Sequence, residues 1–296
     1  VELEISAGAG IEAELQTLRA DAQQRAVTEH ILALADQAGY GAALIDTVAL
    51  GHAEAAVISW PQFAHMVRAA ARGLSRRGLQ QGDTAGIFVG DAVSHAVAVH
   101  AVRAAGAAAA AVRPTRSAAD IAAQLKQGRV RLLITSAGLA DLAVQAAERS
   151  WVRQVFAFGE AEGTTPFDAL VQTPRHGQSQ ADDTTSHNGH GDGLAPEQVL
   201  DLAELELEAD RVAPQLIRRP VPRLTCRDVV VAAPPCGDPE AYTSLLDLAL
   251  AAGATVVASP LAQITAALGV YKGTAAIVPR GTDVPGLPAG RILAVG

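Results

Sequence analysis

Between Arg68 and Thr135 the chain alternates apolar patterns of helical and strand period without a break, and this limits the folds open to it. The order is helix, Gly82-Asp83 turn, strand Thr84 to Val89, helix Ala92 to Ala105, Gly106, strand Ala107 to Val112, a turn holding Pro114, helix, and strand Val130 to Thr135. Strands separated by single helices pair in parallel, because the helix must carry the chain back along the sheet before the next strand begins. Local signals fix the helix ends. Ser59-Trp60-Pro61-Gln62 is a helix start. The Ser59 hydroxyl can accept from the backbone of the third helical residue, Gln62 can reach back, and Pro61 is tolerated in the first turn. That helix runs to about Arg77 and stops at Gly78. Ser117 and Asp120 repeat the capping pattern at the next helix but one, and Gly106 closes the helix between them.

The rhythm continues on both sides. Residues 1–10 read as a loose lead, and Leu15, Leu18, Ala22, Val27, Ile31 and Leu34 give one or two amphipathic helices up to Ala38. Ala42 to Asp46 reads as a short strand with Ala55 to Ser59 as its hairpin partner. Leu139 to Arg149 is a helix and Val152 to Phe158 a strand. Gln172 to Pro196 is polar and Gly-rich and cannot bury a core of its own, so it reads as a mobile linker. A helix to about Ile217 follows, then strand Asp228 to Ala233, helix Asp238 to Ala252, strand Thr255 to Ala258, helix Leu261 to Leu268, and strands Thr274 to Val278 and Arg291 to Val295. The expected organisation is a helical lead (1–26), a first αβ lobe (27–171), a flexible linker (172–196) and a second αβ lobe (197–296). No repeat of fixed period is visible.

Composition excludes several roles. The net charge is -8 and no long basic run occurs, so phosphate neutralisation on a nucleic acid is disfavoured. The two cysteines, Cys226 and Cys236, fit no metal or disulfide spacing. The first ten residues lack the basic flank and apolar core of a signal peptide, and the apolar run Ala104 to Val112 is too short to span a bilayer. A soluble cytoplasmic protein with no membrane or nucleic-acid partner is expected.

Several strings together resemble the N-terminal region of adenylate-forming enzymes, the acyl-CoA synthetase, 4-coumarate–CoA ligase and luciferase family. They are VTEHILALADQAGYGAALID from Val27, WPQFAHMVRAAARGLSRRGLQQGD from Trp60, LLITSAGLADLAVQAAERSWVRQVFAFGE from Leu132, LTCRDVVVAAPP from Leu224 and LLDLALAAGATVVASP from Leu245. The resemblance covers about residues 27–170 and 198–296. It implies an α/β fold of two αβαβ lobes with mostly parallel sheets, like the N-terminal subdomains of acyl-CoA synthetases.

The same resemblance shows where chemistry departs. The family carries a phosphate loop, Thr-Ser-Gly-Thr-Thr-Gly-x-Pro-Lys-Gly, whose backbone amides, hydroxyls and lysine hold ATP phosphates. It would fall between Leu170 and Leu200. Thr184, Thr185, Ser186, Gly189, Gly191 and Gly193 keep its composition, but no Pro-Lys-Gly follows, and Asp182, Asp183 and Asp192 stand where a triphosphate needs positive charge. The chain has only two lysines, Lys126 and Lys272, neither in a phosphate-loop setting. A family string whose aromatic and His line the acyl and adenylate pocket is here Pro234-Pro235-Cys236-Gly237-Asp238-Pro239. Finally, the sequence stops at Gly296, roughly where the resemblance places the adenine-binding segment, the magnesium ligand and the C-terminal domain with its lysine.

Other candidates are weaker. His187 and His190 with the nearby aspartates could hold a metal, but the spacing favours a solvated loop. His95 and His100 lie five apart on one helix, which suggests one surface and one packed imidazole. His30, His52, His65 and His176 have no evident partner. Cys236 could be a reactive thiol beside a helix N-terminus, with a structural role favoured. Asp46, Asp83 and Asp91 read as turn and cap residues. Helices Ala92–Ala105 and Ser244–Ala252 are apolar nearly all round, so they are deeply buried or meet a partner. The expectation is a catalytically inactive, shortened acyl-CoA synthetase-like protein with no catalytic residue and no cofactor. It would act as an interaction, scaffold or regulatory subunit, as a homo-oligomer or beside an active acyl-CoA ligase or other acyl-processing enzyme. The alternatives are one half of a ligase completed by a partner chain, or a module binding an acyl or nucleotide ligand.

Overall fold

The computed structural model describes residues 20, 22–47, 56–113, 115, 117–172 and 223–295. A helix over residues 22–37 (α1) leads into strands β1 (Ala42–Asp46) and β2 (Ala56–Ser59) and helix α2 (Trp60–Arg76). Then come β3 (Thr84–Phe88), α3 (Ala92–Ala104), β4 (Ala108–Ala111), α4 (Ala118–Gln127), β5 (Leu132–Ser136), α5 (Ala140–Glu148), β6 (Gln154–Phe158), β7 (Thr165–Pro166) and a single turn, α6 (Asp168–Val171). The second half holds β8 (Val229–Ala232), α7 (Pro239–Ala251), β9 (Thr255–Ala258), α8 (Ile264–Tyr271), β10 (Ala275–Pro279) and β11 (Ile292–Val295).

These strands form two sheets. One runs β4-β3-β5-β6-β7 and is wholly parallel. The other runs β11-β10-β8-β9-β1-β2 and is parallel except for the β1–β2 ribbon at its edge. The α/β fold of two mostly parallel sheets is therefore as expected. The lobes read from the sequence do not coincide with the sheets. β1 belongs by position to the first lobe, yet Leu44, Ile45 and Asp46 pair with Val256, Val257 and Ala258. A short strand pairs wherever its apolar face finds cover, and chain order does not decide that.

Alternation along the strands sorts side chains into three cores. Ile87, Leu132, Ile134, Val230, Ala232 and Val256 face a central layer occupied by α1, α2, α3 and α7. Phe88 and Leu133 face the opposite way, onto Ile121, Leu125 and Ala143 of α4 and α5. Val231, Val257 and Ala276 face Ile264 and Leu268 of α8. Five layers result, helix–sheet–helix–sheet–helix, with the largest core in the middle. That position explains why α3 and α7 are apolar all round: each lies between two sheets and has almost no solvent face.

The two halves repeat one design. In both, the first strand sits between the second and the third, and the helix that follows the first strand lies in the central layer. α3 and α7 are each 13 residues long, and each begins after an Asp cap, Asp91 or Asp238. Both end on a left-handed glycine, Gly106 or Gly253, and lead into a strand of 4 residues. Only glycine adopts that φ without strain. Ahead of the first strand the match persists: Gln80 N donates to Asp83 Oδ2, and Thr225 N donates to Asp228 Oδ2. Few residues are identical between the halves and the crossovers differ in length, so no fixed period marks the sequence.

The helix starts follow the expected chemistry. The Ser59–Gln62 capping box is complete, with Gln62 N donating to Ser59 Oγ at 3.4 Å and Ser59 N to Gln62 Oε1 at 2.8 Å. At Ser117 the hydroxyl accepts from Asp120 N at 3.2 Å.

Candidate functional site

In an open parallel sheet, ligands sit outside the carboxyl ends of the strands, where successive crossovers leave in opposite directions. Each sheet has one such point, between β3 and β5 and between β8 and β10. α3 and α7 run side by side in the same direction, since the fourth residues of the two helices touch and so do the ninth. His95 and Tyr242 rings lie 5.3 Å apart, and His100 Nε2 is 3.5 Å from Asp247 Oδ1. Both carboxyl edges consequently open at the same end of the molecule, and this shared edge is the candidate site.

Five side chains converge there. Asp91 caps α3, accepting from Ser94 N at 2.6 Å. Asp238 caps α7, accepting from Glu240 N at 2.9 Å and Ala241 N at 3.1 Å. Burial pushes the Asp91 carboxyl up from the usual carboxylate range, against its cap hydrogen bonds, and the nearby Asp46 adds to the rise. Tyr242 is fully buried one turn into α7, and its hydroxyl donates to the Ala233 carbonyl at 2.7 Å. Burial pushes its phenol well above the ordinary value, with Cys236 and Asp91 contributing. Cys236 is half-buried on the crossover, and burial raises its thiol. The reactive-thiol reading required a lowered value; desolvation outweighs any pull from the α7 N-terminus.

This arrangement limits what the edge can do. A helix N-terminus is the natural place for a phosphate, because its first amides are free and its dipole is positive. Here the chain's own carboxylates occupy those amides on both central helices. At the β3–β5 point the Ser136 hydroxyl is likewise engaged, accepting from Gly90 N at 3.1 Å. The two lysines stand elsewhere. Lys126 closes α4 just before β5, and Lys272 closes α8 just before β10, so both lie at the amino edges of the sheets. A strand of 5 residues separates each from the carboxyl edge, a span of about 16 Å.

Thr184, Thr185, Ser186, Gly189, Gly191, Gly193, His52, His176, His187 and His190 lie outside the described residues, as do most of the 172–196 linker and the helix expected after it. Among the described residues no group of three or more His, Cys, Asp or Glu is placed to hold a metal, and no helix is long and apolar enough to cross a membrane. Asp83 and Asp91 are turn and cap residues as expected.

The histidines need correction. His95 and His100 are both buried, 2% and 1% exposed, where the sequence suggested one on the surface. Five-residue spacing does set them on different faces, but α3 lies between two sheets, so both faces are covered. His95 Nε2 pairs with Thr243 Oγ1 at 2.8 Å and His100 Nδ1 with Thr28 Oγ1 at 3.0 Å. His30 also has a partner, the Ala251 carbonyl at 3.3 Å. Sequence reasoning missed Tyr242 and Asp247. Their signal was faint: polar groups inside a helix otherwise apolar.

The family model for AMP-binding enzyme matches residues 36–202. No curated protein matches the chain in sequence. Among solved structures, the chain is similar to a benzoate CoA ligase from Burkholderia xenovorans, with 20% identity, a TM-score of 0.61, and 90% of this chain and 54% of that one covered. It is similar to a long-chain-fatty-acid-CoA ligase from Archaeoglobus fulgidus, with 16% identity, a TM-score of 0.60, and 86% and 51% covered. The N-terminal domain of FACL13 from Mycobacterium tuberculosis aligns at 15% identity and a TM-score of 0.60, with 88% and 68% covered. The chain thus spans about half the length of the two ligases, and these likenesses bear on fold.

Proposed function

Because this chain belongs to the AMP-binding enzyme family, we propose that it is a member without adenylating activity of its own, acting as an interaction or regulatory subunit. The placement of its two lysines carries this reading. Lys126 and Lys272 sit at the amino edges of the sheets, away from the edge where ligands bind such folds. A phosphate loop without lysine lacks the charge that neutralises a triphosphate. The interval where that loop would fall has three aspartates, Asp182, Asp183 and Asp192. The Pro234–Pro239 crossover brings no histidine, and the aromatic nearest it, Tyr242, is turned inward to hold Ala233. An ATP–pyrophosphate exchange assay over a panel of aromatic and fatty acids tests the proposal. No exchange above blank is expected. Exchange with any one acid overturns it.

A further inference from the structure

A groove of about 760 Å³ lies between α1, α2 and the carboxyl end of α3, at the opposite end of α3 from Asp91. Five arginines line it, Arg25, Arg68, Arg72, Arg76 and Arg103, against one acid, Glu29. In a chain of net charge -8 this is a local inversion of sign. Arg68, Arg72 and Arg76 are four apart along α2 and so share one face, each a turn above the last.

Two of these cations have carboxylates of their own. Arg68 makes a fork to Asp36, with hydrogen bonds of 2.8 and 2.7 Å. Arg103 pairs with Asp247 at 2.7 Å. Arg76 reaches only the Leu170 carbonyl, at 3.4 Å. Arg25 and Arg72 have no ion pair or hydrogen bond among the described residues.

Arg103 fixes part of this charge in place. Arg103 is 4% exposed, and its Nε is buried with no hydrogen-bond partner among the described residues. The side chain borders both the groove and a smaller cavity of about 70 Å³ beside it, which Arg25 and Gln81 also line. Its Nη1 is held by Asp247 and its Nε is enclosed, so Arg103 adds a fixed positive charge to the groove wall while Arg25, Arg72 and Arg76 keep the donors a ligand can reach.

We propose that this groove binds a small polyanion of the diphosphate class. Guanidinium forks match phosphate oxygens in pairs, and several forks on facing helices suit two linked phosphates better than one carboxylate. The volume lies in the range of small-molecule sites. The site is separate from the shared carboxyl edge and does not depend on adenylating activity.

Isothermal titration calorimetry of the full chain with metal-free inorganic pyrophosphate at low ionic strength tests it. Saturable one-to-one binding is expected. The Arg25→Gln/Arg72→Gln variant should weaken binding by at least about tenfold, since each lost charge-assisted hydrogen bond is worth that order. Arg149→Gln/Arg227→Gln, which removes two exposed arginines elsewhere, should leave binding unchanged. Should the first double variant melt below the wild type, the single Arg72→Gln is measured in its place. No saturable binding, or equal weakening in both double variants, overturns the proposal. Pyrophosphate held in an adenylation pocket would show as binding indifferent to Arg25 and Arg72.

Discussion

His100 Nε2 lies 3.5 Å from Asp247 Oδ1, and these two residues hold the same ninth position in the two central helices. The fourth positions also meet, His95 against Tyr242. Matched positions touch when two equivalent units pack about a two-fold axis, so this contact is the internal counterpart of an isologous dimer interface. Its polar groups are buried, or in the case of Asp247 largely so, and most of the consequences below concern them.

Asp247 neutralises Arg103 at 2.7 Å inside the central layer. Replacing Asp247 with Asn leaves a buried guanidinium uncompensated, at a cost of about 3 kcal/mol. Urea denaturation should show this as a lower midpoint at unchanged slope. Arg103→Met/Asp247→Leu should recover most of the loss, because no charge is then stranded. A double variant as unstable as Asp247→Asn contradicts the assignment.

Burial, the leading cause, lowers both His95 and His100 from the ordinary 6.5 to about 4; the Asp247 carboxylate partly opposes it and Arg103 adds to it. The unfolded chain therefore binds protons below about pH 6.5 that the folded chain refuses until about pH 4. The stability these imidazoles contribute is complete above pH 6.5, is lost as pH falls through that window, and changes no further below 4. The loss is on the order of a few kcal/mol in all. Denaturation midpoints between pH 7 and 4 measure it. His95→Gln/His100→Gln should flatten the slope, and a slope equal to wild type counts against the pair as its source.

The Tyr242 hydroxyl is the donor to the Ala233 carbonyl at 2.7 Å. Tyr242→Phe keeps the ring and strands a buried acceptor, for a loss of about 1–3 kcal/mol. Hydrogen exchange should quicken first at the β8–α7 crossover. Unchanged protection there would mean the hydroxyl holds nothing.

Gly73 sits where α6 crosses α2. A Cβ at this position would meet the Leu170 carbonyl oxygen and come within 2.7 Å of Leu170 Cα, both of them backbone. Gly73→Ala is thus expected to destabilise by about 1–3 kcal/mol although it favours the helix. A higher melting temperature would show that α6 yields freely.

Lys272 ends α8 in the left-handed region, at φ 55 and ψ 45. Glycine takes that conformation without steric cost, so Lys272→Gly should stabilise by about 1 kcal/mol. Thermal melting reads the gain, and a fall would mean the lysine stem contributes packing worth more than the backbone strain.

Much of this fold was legible because its signals are local. β9 and the start of α2 fall where the sequence placed them, since a Gly-bounded run of Thr-Val-Val-Ala and a Ser-x-x-Gln box each act within a few residues. The pairing of Leu44 with Val256 was not legible, because nothing in a five-residue apolar strand names its neighbour. Nor were the burial of both histidines and the role of Asp247, since these depend on what lies across the layer from α3. The shared edge was half visible. The Pro234–Pro239 string marked one crossover and Asp91 one cap, but the capping role of Asp238 was not read, and only packing α3 beside α7 brings the two crossovers to one end.

The β1–β2 ribbon sets the order in which this molecule can be assembled. Every neighbour of β3, β5 and β6 in their sheet lies between Thr84 and Pro166, so that sheet can form from one continuous stretch. Its companion needs Ala42–Asp46 to wait for Thr255–Ala258 before β1 gains its inner neighbour. Contacts of such long sequence separation form slowly, because the loop must close before the pairing repays it. On a ribosome feeding the chain from its N-terminus, the edge of β1 stays open throughout that delay, and edge-on pairing with another nascent copy is the hazard the delay creates.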